Sequence, residues 1–143
     1  MNSLPLSELS IGDAAESRKT ISETDVYLFA GVSGDFNPLH VDAEYAKTTP
    51  FGARVAHGPL TFSLCAGLLG TELPGLGTVA VSNQVEYLAP VYIGDTIAVR
   101  VEVAALDPDR NRATMAVTWT NQDGTKVATG SMVVKPPKQP VSI

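Results

Sequence analysis

The feature that most constrains this chain is a run of 14 residues without a charge, Gly58–Thr71 (GPLTFSLCAGLLGT). Pro59 stands where proline is tolerated, at a first helical position, and Gly70 stands where a helix-ending glycine belongs. Between them Leu60, Phe62, Leu64, Cys65, Leu68 and Leu69 fall on every side of a helix, with Thr61, Ser63, Ala66 and Gly67 as small fillers. A helix apolar all round is buried all round. At about 1.5 Å per residue this one is too short for a bilayer core of about 30 Å. In a chain of 143 residues the simplest covering is a sheet wrapped about the helix.

The second half supplies that sheet. Val79, Val81, Val85 and Tyr87 alternate, as do Ile97, Val99, Val101 and Val103, then Met115, Val117 and Trp119, then Val127, Thr129, Ser131 and Val133. Turn-forming stretches at Ala89–Pro90, Gly94–Asp95, Asp107–Pro108–Asp109 and Asn121–Gly124 separate them, so the four read as a consecutive antiparallel meander. The first half reads as helix and loop. A short strand over Glu16–Ile21 precedes a helix that Ser22 and Asp25 open as a capping box and Gly31 and Gly34 close. Asp42 caps a further turn or two that ends before Pro50. The expected class is α+β: one domain over residues 1–135, a long buried central helix wrapped by a curved antiparallel sheet, and a loose proline-rich tail over 136–143.

The net charge of −5 disfavours nucleic acid and anionic lipid as partners. Cys65 is the lone cysteine and excludes an intramolecular disulfide; with no basic-then-apolar leader visible, the expected location is cytoplasmic. In mid-helix, Cys65 reads as an inert core thiol.

The two histidines, His40 and His57, fall in one irregular stretch. Asp35 precedes His40 by five residues in Gly34-Asp35-Phe36-Asn37-Pro38-Leu39-His40, which reads as a loop. A carboxylate and an imidazole on one compact loop are able to hold a water and exchange protons with it, although both are also common structural residues. Gly58, at the start of the apolar helix, offers a backbone N–H to a developing oxyanion and lets a ligand carbonyl come close. His57 caps, packs or lines the site, and with no second feature beside it packing is the preferred reading. No metal is expected, because Asp35, His40, Asp42 and His57 match no ligand spacing, and there is no phosphate cradle, dinucleotide fingerprint or serine-hydrolase elbow.

The stretch Val32–Asp42 (VSGDFNPLHVD), followed by His57-Gly58 opening an apolar helix, resembles the MaoC-like hydratase family, and within it the short single-hot-dog (R)-specific enoyl-CoA hydratases. The similarity continues through Leu68-Leu69-Gly70, Pro90 to Gly94-Asp95 and Thr129-Gly130-Ser131. The resemblance implies a hot-dog fold and reversible hydration of trans-2-enoyl-CoA, or the carrier-protein thioester, to the (R)-3-hydroxyacyl product without a cofactor. Asp35 and His40 would transfer protons, the Gly58 N–H would bind the thioester oxygen, and Asn37 would support the loop. His57, Leu60, Ser63 and Leu64 would line the substrate site, with the acyl chain running along Leu60, Leu64 and Leu68. Some members carry a serine one turn further along the helix; here that position is Ala66, with Ser63 a turn earlier. A homodimer is implied, with substrate entering near its interface. A hot-dog thioesterase, which places a carboxylate near the central helix, and a non-catalytic acyl-thioester-binding module are the alternatives.

Overall fold

The computed structural model describes residues 1–142. Five strands form one antiparallel sheet: β1 (Ala14–Thr20), β2 (Val79–Tyr87), β3 (Thr96–Asp107), β4 (Arg112–Thr120) and β5 (Lys126–Lys135). Their spatial order is β1-β3-β4-β5-β2. The expected meander therefore holds for β3-β4-β5 alone. β2 does not pair with β3; it lies at the opposite edge beside β5, with Tyr87 facing Ala128. Residues 88–95 cross the sheet to reach β3. Eight extended residues reach about 27 Å, ample for three strand spacings of about 4.8 Å each. Alternation within a strand says which face is buried and nothing about which strand lies alongside, so this crossover left no mark in the sequence pattern.

Alternation did decide burial in β3 and β4. Ile97, Val99, Val101, Val103, Met115, Val117 and Trp119 all point inward and are buried. Each such side chain contributes about 1.5–3 kcal/mol of transfer free energy. Against them pack Leu60, Cys65, Leu68 and Leu69 from the central helix, which gives the hot-dog arrangement.

The central helix departs from expectation in two ways. It is two segments, α4 (Gly58–Ser63) and α5 (Cys65–Thr71), joined at Leu64. There the Leu64 N–H donates to Thr61 three residues back, at 3.3 Å, while the Ser63 hydroxyl and Cys65 thiol donate to the carbonyls of Leu60 and Phe62. Side chains that compete for helix carbonyls tighten the turn locally. Nor is the helix buried all round: Pro59, Ser63, Ala66, Gly67 and Gly70 form an exposed face of small residues. The sheet covers one side only.

The remaining helices are α1 (Glu23–Ser33), α2 (Pro38–Val41) and α3 (Ala43–Lys47). Ser22 and Asp25 form the capping box, and Lys19 reaches the Asp25 carboxylate at 3.0 Å. The proline-rich end is docked, not loose: Pro136 and Pro137 are buried, Asn111 donates to the Pro136 carbonyl at 2.9 Å, and the Val141 N–H donates to the Ser3 hydroxyl at 2.8 Å.

Cys65 is 1% exposed and burial pushes its thiol up to about 11. The native protein is therefore expected to resist iodoacetamide at pH 8 and to be alkylated only after denaturation. Mass-spectrometric counting of adducts checks this; native alkylation at the unfolded rate would contradict it.

Candidate active site

The Asp35–His40 segment is shaped by local side-chain bonds. Gly34 ends α1 in the left-handed conformation (φ 77°), a turn that glycine makes without strain. The Ser33 hydroxyl then accepts the Asp35 N–H at 3.2 Å, and the Asp35 carboxylate accepts the Asn37 N–H at 3.2 Å. Asn37 caps α2 through the Leu39 N–H at 3.1 Å, with Pro38 in the first turn. The segment expected as loop is thus loop only as far as Asn37. The single helical turn that follows carries His40 inward, where it is 8% exposed. A proline pre-set for a first helical position, behind an asparagine cap, makes so short a turn stable.

Two backbone carbonyls hold the imidazoles. His40 Nδ1 lies 2.7 Å from the Val55 carbonyl, so its proton sits on Nδ1 and Nε2 keeps a free lone pair. That Nε2 is 3.8 Å from Asp35 Oδ2, too far for a direct hydrogen bond. Two acceptors at this spacing suit one water donating a proton to each. His57 Nε2–H donates to the Asp35 carbonyl at 2.9 Å, and its ring stacks on His40 with centroids 3.8 Å apart. His57 is 1% exposed and its Nδ1 is buried without a partner. His57 therefore packs beneath the pair, as the preferred reading has it, and does not line the cavity as its place among the expected substrate-binding residues implied.

Asp35, His40 and His57 also lie close enough together for one metal ion to be considered. The two rings are inclined by only 28°. Lone pairs lie in the ring planes, and planes so nearly parallel meet far beyond a zinc–nitrogen bond of about 2.1 Å. The stacked arrangement does not suit an ion shared by both imidazoles.

Beside His40 opens a cavity of about 420 Å³, bounded by Phe51, Val55, Gly58, Thr61, Tyr87 and Val127 among others. Of the expected lining residues, Gly58 is present. Leu60 is buried in the core, Leu64 is not on the wall, and Ser63 faces outward with its hydroxyl on the Leu60 carbonyl. Leu68 is likewise core. The kink at Leu64 and the one-sided cover of the helix turn these side chains away from the cavity. Ala66 is on the exposed face, and the Asp35 carboxylate is oriented by the Asn37 amide. Tyr87, Phe51 and Thr61 on the wall, and the Val55 carbonyl behind His40, were missed. Strand and helix side chains or backbone groups in other segments carry no local signal of what they face.

As the first residue of α4, Gly58 has an N–H with no intrahelical acceptor. A carboxylate and an imidazole 3.8 Å apart, the latter on the wall of an apolar cavity that also carries a helix-start amide, fit addition of water to an acyl group.

Comparison with known proteins agrees. The MaoC like domain matches residues 10–125. The chain belongs to the MaoC-like domain family. It is 45% identical over 132 residues to a 3-hydroxybutyryl-CoA dehydratase of Methylorubrum extorquens, covering 92% of this chain and 83% of that one. It is also 45% identical to an (R)-specific enoyl-CoA hydratase of Rhodospirillum rubrum over 113 residues, covering 79% of this chain and 78% of the relative. The unliganded (R)-hydratase of Pseudomonas aeruginosa superposes with a TM-score of 0.92 at 40% identity, covering 99% of this chain and 90% of that one. Among the described residues no helix is long and apolar enough to cross a membrane.

Proposed function

We propose that this MaoC-like protein adds water reversibly to trans-2-enoyl-CoA to give (R)-3-hydroxyacyl-CoA. The observation that supports the reading is the pair of acceptors, His40 Nε2 on the cavity wall and the half-exposed Asp35 Oδ2, 3.8 Å apart. The water oxygen forms a bond to the β-carbon as one acceptor takes its proton. The electron pair of the double bond moves toward the thioester, and negative charge builds on the thioester oxygen. The Gly58 amide stabilises that charge. A proton from the pair then reaches the α-carbon, so one water is consumed and both groups return to their starting state. The (R) outcome is supported by the relatives named for that specificity. Whether the thioester is carried by CoA or by a carrier protein, the reacting atoms are the same. Nothing in this chemistry calls for a metal or a redox cofactor.

Incubation with crotonyl-CoA tests the reading. Enoyl absorbance should fall with the thioester intact. Release of free CoA would favour the hot-dog thioesterase, and binding without turnover would favour the acyl-thioester-binding module. The apolar α4–α5 helix carries no carboxylate, which argues against the thioesterase.

The protein is a homodimer in this reading, and its site of action is the cytoplasm. β2 is an edge strand of nine residues on which Val79 and Val81 are 58% and 48% exposed, and an edge so long and apolar invites pairing. The exposed small-residue face of α4–α5 offers a second flat surface. Sedimentation at micromolar concentration should give about twice the 15.0 kDa chain mass. An active monomer would contradict it.

A further inference from the structure

We propose that Tyr87 sets which acyl chains this protein accepts, its ring forming the adjustable wall of the acyl cavity; this rests on the hydratase reading above. Tyr87 is the last residue of β2, and its ring reaches across to the first turn of α4. A Cβ placed on Gly58 would lie 2.8 Å from Tyr87 Cζ and 3.0 and 3.1 Å from the two Cε atoms. The phenol end of the ring therefore occupies the space a side chain would take at the glycine whose amide meets the thioester oxygen in that reading.

The rest of the wall divides into fixed and movable parts. Val55, Ala56, Val91 and Val127 are at least 93% buried and held in place by the core. Tyr87, Leu88 and Phe51 are 47%, 47% and 41% exposed in the single chain, and of the three Tyr87, at the end of the β2 edge assigned above to dimer pairing, also rests its ring on Gly58. Partial burial raises its phenol above the usual tyrosine value, in keeping with a hydroxyl drawn into apolar surroundings. Among the described residues of the wall, only His40, Thr61 and Tyr87 bear polar side-chain atoms, so the space suits a hydrocarbon better than the charged end of CoA. An acyl thioester with its oxygen at Gly58 comes into contact with this ring, which shares the cavity wall with that glycine. At about 420 Å³ the cavity is near the small end for ligand sites, and the ring is the largest side chain able to give. A hydrophobic pocket discriminates by about tenfold or more per methylene it excludes.

The test compares wild type, Tyr87→Ala and Tyr87→Phe in two assays: hydration of crotonyl-CoA and trans-2-dodecenoyl-CoA, and calorimetric binding of butyryl-CoA and dodecanoyl-CoA, which cannot be hydrated. Tyr87→Ala should raise the long-to-short ratio of both kcat/KM and affinity by about tenfold or more. Tyr87→Phe, which keeps the ring, should leave the ratio within about twofold of wild type. A Tyr87→Ala ratio within twofold of wild type would overturn the proposal, as would an equal shift in Tyr87→Phe, which would assign the effect to the hydroxyl. If wild type binds the saturated thioesters but hydrates neither enoyl-CoA, the hydratase reading fails, and the binding ratios still decide the role of Tyr87. Should Tyr87→Ala not fold, judged by melting and sedimentation, Tyr87→Leu carries the same comparison.

Discussion

Asp35→Asn and His40→Gln each lower kcat by about a hundredfold to ten-thousandfold, the range for a positioned acid or base. Asparagine keeps an acceptor for the Asn37 amide, which the Asp35 carboxylate meets at 3.2 Å, so the turn into α2 survives. What is lost is the ability to take a proton 3.8 Å from His40 Nε2. Glutamine at position 40 surrenders both the Nδ1–H bond to Val55 and the free ring nitrogen. In the proposed mechanism the two groups act on one water, so the double variant should be little worse than the poorer single one. Crotonyl-CoA kinetics on each variant, with melting curves to confirm folding, check this. Near-normal turnover in either single variant would remove that residue from the chemistry.

Gly58→Ala loses about a hundredfold or more in kcat/KM, comparable to removal of an oxyanion donor. Gly58 is not in the left-handed region, so alanine meets no backbone strain there. The methyl instead runs into the Tyr87 ring, 2.8 Å away at its nearest atom. Two causes of the loss are thus possible, a blocked amide and a displaced ring, and a double-mutant cycle separates them. With Tyr87→Ala the clash is gone, yet the methyl still projects into the cavity beside the amide. Gly58→Ala in that background should still cost about tenfold or more. Full rescue would assign the glycine to packing against Tyr87 and move the thioester oxygen elsewhere.

What the sequence disclosed and what it hid divide along the range of the interactions. Ser22 with Asp25, Gly34, Asn37 and Asp42 were legible because each acts within a few residues of itself, through a cap or a turn. The buried faces of β3 and β4 were legible from alternation. Asp35 and His40 could be paired because five residues of turn and helix join them. The Val55 carbonyl that fixes the His40 tautomer is 15 residues away, and it is a backbone atom that any residue would supply. The Tyr87–Gly58 contact depends on β2 lying at the far edge, which no local pattern dictates. His57 stands out in the sequence as one of only two histidines, but its place beneath His40 follows from tertiary stacking alone. The charge-free helix misled in one respect. Small uncharged residues at Ser63, Ala66, Gly67 and Gly70 are as compatible with a surface awaiting a partner as with a core.

The most direct measurement is the chirality of the product. Crotonyl-CoA is incubated with the purified protein, the thioester is hydrolysed chemically afterwards, and the 3-hydroxybutyrate is resolved on a chiral column. The geometry and the family together predict the (R) enantiomer in large excess, with formation abolished in the Asp35→Asn variant. A racemic or (S) product, or hydration that persists without Asp35, would contradict the account.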